Sequence, residues 1–287
     1  MTAPATSSAA TAVFHDTRTV TAEEIGRHRA AVRSMIGAAH EPDPAVQASP
    51  VYPFVLASGA SDRIIGELIG ATDERPALVH LTQEILVHRP VRPGELITVG
   101  VRPLGARREP RGVRLALRCE LSAGEDTPVA TLVTGALLVG ADTPEPFGEF
   151  PASAAPSPAG EQAEPIHVTH RLTTETIRRY AEASGDHNPI HLDADAARAA
   201  GFPGVIAHGM SVVALACEEV IDRYAAGDAT RIRGVGVRFS APVLPGEPVD
   251  LTMRPDRNMV GFAVRTPRGP ALKNGWVTFF EERNPHG

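Results

Sequence analysis

The chain has 287 residues, which is enough for one large or two small domains. Its formal net charge of −6 argues against a nucleic-acid-binding protein, which normally carries a basic excess. Its apolar runs are too short for a membrane span, which needs roughly 18 or more consecutive apolar residues. Two cysteines among apolar neighbours, Cys119 and Cys217, do not indicate a disulfide framework.

The first half of the chain reads as one α+β unit. Residues 1–11 are rich in Ala, Ser and Thr and lack the features of a signal peptide, so we expect a disordered tail and a cytoplasmic protein. A helix begins after Thr21, where Thr21 and Glu24 have the spacing of a capping box. Apolar periodicity predicts a short strand at 11–19, an apolar helix at 54–69 and four strands at 77–88, 95–104, 112–122 and 129–139.

The second half repeats this order after a linker, residues 142–165, that is rich in Pro, Ala and Ser. A second helix begins at Thr173, a favourable N-cap residue. The pattern predicts a short strand at 167–172, a helix at 210–225 that is apolar nearly all round, and four strands at 231–240, 247–254, 258–266 and 271–281.

Two short matches at one shared offset indicate an internal repeat. Pro90–Glu95 matches Pro242–Glu247, and Thr21–Arg27 matches Thr173–Arg179, each 152 residues further along the chain. The sequence therefore predicts two modules, at 12–141 and 166–287, each an antiparallel sheet wrapped round a central buried helix. Joining the two sheets edge to edge would protect both edges and make one chain a pseudo-dimer, which leaves a homodimer possible.

One polar loop carries the candidate chemistry. Gly185 suits a left-handed helix end, and Pro189 pushes the residue before it out of the helical region. Asp186 and His191 then lie five residues apart across a constrained loop, where they can face one small volume as an acid–base pair. The amide of Asn188 can hold a carboxylate or a water molecule in place.

The second buried helix begins at about Gly209, directly after His208. Its first N–H groups have no helical partner and lie at the positive end of the helix dipole. They can stabilise an oxygen that gains negative charge, and glycine permits close approach.

The residues from Arg179 to Met210 closely resemble the motif of (R)-specific enoyl-CoA hydratases in the MaoC-like dehydratase family. The matching segments are Tyr180-Ala181, Ser184–His191, Gly201-Phe202 and His208-Gly209. The resemblance implies a double hotdog fold with a degenerate N-terminal module and a catalytic C-terminal module. It implies hydration of a trans-2-enoyl thioester to the (R)-3-hydroxyacyl product by Asp186 and His191, with the N–H of Gly209 on the thioester carbonyl and Asn188 and His208 positioning the substrate.

The same resemblance implies that no cofactor is needed, because the substrate arrives on coenzyme A (CoA) or on the phosphopantetheine of an acyl-carrier protein. A hotdog thioesterase and a non-catalytic acyl-thioester binding module remain alternatives. So do a loop of purely structural role, a nucleophilic Ser184, and a metal site that adds His187 and His208 to the pair.

The first module has lost the motif, because the offset relates Asp186 to Ser34 and His191 to Ala39. Small residues in its central helix, Ala57 and Gly59, would leave room for an acyl chain. Arginines near the strand ends are either solvated or contact substrate phosphates: Arg107, Arg108, Arg111, Arg114, Arg231 and Arg233.

Overall fold

The computed structural model describes residues 13–37, 46–70, 77–124, 126–157, 163–257 and 259–281. The whole of the predicted tail, residues 1–11, and Ala39 lie outside these ranges. The first module comprises β1 (Phe14–Thr19), α1 (Ala22–Arg33), α2 (Tyr52–Ile69), β2 (Leu78–Val87), β3 (Leu96–Glu109), β4 (Gly112–Ala123) and β5 (Thr127–Val139).

A two-residue strand, β6 (Phe147–Gly148), lies in the predicted linker and pairs with β3. Among the described residues, the second module repeats the element order of the first and also contains a short helix before its central helix. Its elements are β7 (Ile166–Arg171), α3 (Thr174–Ser184), α4 (Ala194–Ala199), α5 (Gly209–Tyr224), β8 (Ile232–Phe239), β9 (Pro248–Pro255), β10 (Met259–Thr266) and β11 (Gly269–Phe279).

Both predicted N-caps are confirmed. The hydroxyl of Thr21 accepts from the backbone N–H of Glu24 at 3.1 Å, and the carboxylate of Glu24 accepts from the N–H of Thr21 at 2.9 Å. Thr173 makes the equivalent pair of bonds with Thr176. Each bond satisfies an N–H that a helix start otherwise leaves without a partner, so the two short helices begin at equivalent places.

The strands form one continuous antiparallel sheet in the order β1-β3-β4-β5-β2-β8-β11-β10-β9-β7. The modules meet where β2 pairs with β8, and Glu84 there lies opposite Gly236, exactly one repeat offset away along the chain. A pseudo-twofold axis therefore passes through this pair. The predicted double hotdog is confirmed, with its two sheets hydrogen-bonded into one.

The two central helices differ in burial. Every residue of α5 from Met210 to Ile221 is buried, as the all-round apolar pattern predicts. In α2, Ala57 is buried, whereas Gly59 is exposed and a Cβ there would meet nothing within 4 Å. The expectation that Gly59 opens space for an acyl chain is therefore wrong, because this position faces outward.

A buried ion cluster joins the modules. The guanidinium of Arg33 in α1 lies 2.9 Å from a carboxylate oxygen of Glu218 in α5 and 3.1 Å from one of Asp222. Arg29 approaches the same Glu218 oxygen at 3.4 Å. Glu218 is fully buried, so the first module supplies the charge that this carboxylate needs. Within the described ranges, no helix is both long and apolar enough to cross a membrane.

Candidate active site

The loop after α3 is shaped by its own hydrogen bonds. Gly185 adopts the predicted left-handed conformation, with φ of 74°, and its N–H donates to Ala181 at 2.8 Å. The N–H of Asn188 then donates to a carboxylate oxygen of Asp186 at 3.2 Å. These bonds turn the chain sharply away from α3 and hold the Asp186 carboxylate in a fixed direction.

His191 ends a short 3-10 turn and is buried. Its Nδ1 lies 2.9 Å from the carbonyl oxygen of Ile206. Because a carbonyl oxygen can only accept, Nδ1 carries the proton and Nε2 keeps its lone pair. Burial lowers the pKa of His191, partly opposed by this hydrogen bond and by the negative charge of Asp186. The imidazole is therefore a neutral base at neutral pH.

His208 lies directly before α5 and is also buried. Its Nε2 donates to the backbone carbonyl of Asp186 at 3.0 Å, which ties the loop to the start of the helix. Burial, reinforced by the neighbouring His191, lowers the pKa of His208 to about 4. Its Nδ1 is buried and has no hydrogen-bond partner among the described residues.

The two imidazoles and the carboxylate converge. One nitrogen of His191, one of His208 and one carboxylate oxygen of Asp186 all lie within 4.8 Å of one another. The His191 and His208 rings are 3.8 Å apart between centroids. The predicted Asp186–His191 pair thus shares one small volume, and His208 is its third member.

Gly209 begins α5 beside this volume. A Cβ at this position would lie 2.8 Å from Cε1 of Phe239, a separation that real Cβ atoms do not show. Glycine is therefore required for the Phe239 ring to pack against the helix start. The N–H of Gly209 is at the positive end of the helix dipole, where a developing oxyanion is stabilised.

Asn188 is placed differently from the expectation. Its side-chain oxygen accepts from the N–H of Ile190 at 3.3 Å, so it caps the 3-10 turn, and the residue is exposed. Its predicted contact with substrate remains a prediction. His187 is likewise exposed on the loop.

The predicted alternative of a nucleophilic Ser184 loses support, and Cys217 is not placed as a nucleophile either. The Ser184 hydroxyl donates to the Tyr180 carbonyl at 2.7 Å and accepts from the N–H of Asp186, so it serves the helix end. Cys217 is fully buried in α5, and burial raises the pKa of its thiol. Neither side chain is placed as an activated nucleophile.

The first module contributes a residue that the sequence did not indicate. His80, near the start of β2, packs against Phe239 with ring centroids 4.4 Å apart. On its other side it stacks with Phe54 of α2 at 5.5 Å. A histidine in a strand has no motif, and its partners come from both modules, so the local sequence carried no signal for it.

The arginines predicted near the strand ends lie in two different environments. Arg107 pairs with Glu109 at 3.0 Å and Arg108 with Glu145 at 2.8 Å, which agrees with solvated strand ends. Arg231 and Arg233 both line two adjoining grooves of about 780 and 940 Å³, which do not include Asp186, His191 or His208. Contact of these arginines with substrate phosphates remains a prediction.

Comparison with known proteins follows the same division of the chain. Residues 154–267 match the MaoC like domain. The chain is 33% identical over 169 residues to 3-hydroxyacyl-thioester dehydratase X of Mycobacterium tuberculosis, covering 58% of this chain and 55% of that protein. It is 33% identical over 115 residues to enoyl-CoA hydratase ChsH3 of the same organism, covering 40% of each. The chain thus spans about half the length of the curated relatives it matches.

A solved Mycobacterium tuberculosis protein described as having a double hotdog fold superposes with a TM-score of 0.62 at 15% identity, covering 93% of this chain and 94% of that one. At this identity the likeness establishes the fold alone. The protein is therefore a double hotdog protein. Its residues 154–267 are similar to the MaoC like domain, which agrees with the resemblance seen in the motif.

Proposed function

We propose that this chain catalyses the reversible hydration of a trans-2-enoyl thioester to the (R)-3-hydroxyacyl thioester. One observation supports this most directly: Asp186, His191 and His208 bring their polar atoms within 4.8 Å of one another where α5 begins. The names of the relatives support the same reaction class.

In the proposed reaction a water molecule lies between the Asp186 carboxylate and Nε2 of His191. Asp186 takes one proton from the water as its oxygen bonds to C3 of the substrate. The electron pair of the C2–C3 double bond moves to C2, and the Asp186 carboxylic acid returns its proton there on the same face, so that one water molecule is added across the double bond. His191 accepts a hydrogen bond from the water through its free lone pair, because its Nδ1–H is held by Ile206.

The remaining groups polarise the thioester carbonyl and orient the Asp186 carboxylate. The N–H of Gly209 donates to the thioester carbonyl, which gains negative charge as the carbon–oxygen bond forms at C3. The Phe239 ring packs over the Cα of Gly209 and excludes water from that side. His208 fixes the backbone of Asp186 and so holds the carboxylate toward the reacting water.

The test is turnover of crotonyl-CoA by the purified protein and by Asp186→Asn, which keeps the shape of the side chain but removes the base. We expect loss of enoyl absorbance without release of thiol, and a decrease of about 10²–10⁴-fold in kcat/KM for Asp186→Asn. Asp195→Asn is the matched control, because Asp195 is exposed and pairs with Arg198 at the surface of α4.

The outcomes separate the alternatives. Release of free thiol would assign a thioesterase, and binding of crotonyl-CoA without either change would assign a binding module. Equal activity of Asp186→Asn and the wild type would reject the proposed role of the carboxylate. Chiral analysis of the product tests the (R) configuration, which rests on the family resemblance alone.

Asp186, His191 and His208 also match in number the three protein ligands of a catalytic zinc site. Full activity after dialysis against a chelator would reject a catalytic zinc site. Comparison of crotonyl-CoA with a crotonylated carrier protein tests which carrier is used, and light scattering tests whether two chains form a homodimer.

A further inference from the structure

His80 lies at an irregularity in β2. The pairing of β2 with β5 shifts register between His80 and Thr82, which leaves Leu81 as an extra residue in β2. Such a bulge redirects the side chains on one side of it, and bulges recur beside active sites for this reason. His80 thereby lies against Phe54 of α2, on the helix side of the sheet.

A hydrogen-bond chain fixes the orientation of the imidazole. The side-chain nitrogen of Gln83 donates to the backbone carbonyl of Glu84 at 2.9 Å, which directs the amide oxygen toward His80. That oxygen accepts from the Thr134 hydroxyl at 2.8 Å and lies 3.1 Å from Nε2 of His80. Nε2 therefore carries the proton and donates. Gln83 is 2% exposed, so water does not compete for these bonds.

The fixed imidazole is one end of a continuous packing contact that reaches α5. The rings of His80 and Phe239 are 4.4 Å apart, and Phe239 in turn packs against the Cα of Gly209. Phe239 is thus held between an imidazole from the first module and the helix start of the second. Removal of the His80 ring would remove this contact of Phe239 with the first module.

We propose that His80 is a positioning residue: it holds the Phe239 ring against Gly209 and so defines the path along which a thioester carbonyl reaches the first N–H of α5. This inference rests on the proposed hydration. A displacement of about 1 Å in such a contact can cost up to 10²-fold in rate, so the position of the ring affects kcat.

The charge state of His80 agrees with this role. Burial lowers the pKa of His80 to about 4, partly opposed by the hydrogen bond to Gln83 and the negative charge of Asp186. The ring is therefore neutral at neutral pH and acts through packing rather than through charge.

The experiment measures kcat for crotonyl-CoA in three variants. It also measures the Kd of each variant for butyryl-CoA, a saturated analogue that cannot be hydrated. We expect His80→Ala to lower kcat roughly tenfold with little change in Kd, since positioning acts on the reacting geometry. His80→Phe keeps a ring against Phe239 and should restore most of kcat. Ile232→Val, at the equivalent strand position of the second module, is the matched control and should retain full kcat.

A double-mutant cycle sharpens the test. If His80 acts through Phe239, the losses in His80→Ala and Phe239→Leu are not additive in kcat, because both remove the same contact. Additive losses, or wild-type kcat in His80→Ala, would overturn the inference while leaving the hydration intact. A lowered Tm with unchanged kcat would assign His80 a purely structural role. Absence of hydration by the wild type would reject the proposed function, and this inference with it.

Discussion

The two modules differ most where their central helices begin. In the second module the helix starts at Gly209, with the polar atoms of Asp186, His191 and His208 gathered beside it. In the first module α2 starts at Tyr52, whose buried side chain packs against His28 at 5.2 Å. The start of the central helix thus has an aspartate and two histidines beside it in one module and an aromatic ring in the other.

This difference shows that a module without the motif still serves the site of its neighbour. The first module places His80 against Phe239, which packs on Gly209, and it places Arg29 and Arg33 against the buried Glu218. Ser34, which the offset relates to Asp186, donates its hydroxyl to the carbonyl of Ala31 at the end of α1. The candidate catalytic groups are concentrated in one module, and the other provides packing and charge across the interface.

The largest expected effect tests that interface. Arg33→Ala leaves Glu218 and Asp222 with less compensating charge, and it should lower the free energy of unfolding by about 3–5 kcal/mol. Arg179→Ala removes an exposed pair with Glu175 and should cost at most about 0.5 kcal/mol. Urea unfolding of both variants measures the difference. Equal small losses would mean that the modules are not joined by this cluster.

The second-largest expected effect is a pH dependence of stability that arises at one of two positions related by the pseudo-twofold axis. His28 and Tyr180 are one repeat offset apart and face each other at 5.7 Å. His28 is fully buried, and burial lowers its pKa to about 4. Because the unfolded chain takes up the proton first, stability is full above about pH 6.5 and is lost as the pH falls toward 4.

His28→Phe should flatten this dependence, because phenylalanine has no proton to gain. The lowered pKa of His28 corresponds to a difference of at most about 3 kcal/mol in the free energy of unfolding between high and low pH. Urea unfolding of the wild type and the variant at pH 7.5 and at pH 4.5 measures it. Parallel losses in the two proteins would show that other groups, such as His80 and His208, carry the whole dependence.

The smallest expected effects come from replacing one glycine in each central helix by alanine. Gly209→Ala places a methyl group 2.8 Å from the Phe239 ring, so we expect a loss of about tenfold or more in kcat/KM. Gly59→Ala in α2 meets nothing within 4 Å and should stabilise the protein by about 0.4–1 kcal/mol. Unchanged activity of Gly209→Ala would mean that the helix start does not contact the substrate.

Much of this architecture could be read from local patterns. The shared 152-residue offset predicted two modules, and the capping residues Thr21 and Thr173 marked their short helices. Gly185 and the spacing of Asp186 and His191 predicted the loop, because turn geometry depends on a few neighbouring residues.

What the sequence could not predict depends on contacts between distant segments. The place of His80 requires the bulge at Leu81 and the pairing of β2 with β8, neither of which has a local signature. The central part of the predicted linker is bound to the sheet, where Glu84 accepts hydrogen bonds from the N–H of Ala154. Pro and Ser content alone indicated only that this segment was irregular.

The order of the strands also limits how chains can associate through their backbones. Because β2 and β8 are internal, the rims of the sheet are β1 and β7, each six residues long. Asp16 and Arg18 on one rim and Arg171 on the other place charge where an additional strand would dock. Short, charged rims discourage strand-by-strand growth into fibrils, so the fusion of two modules also protects the protein in concentrated solution.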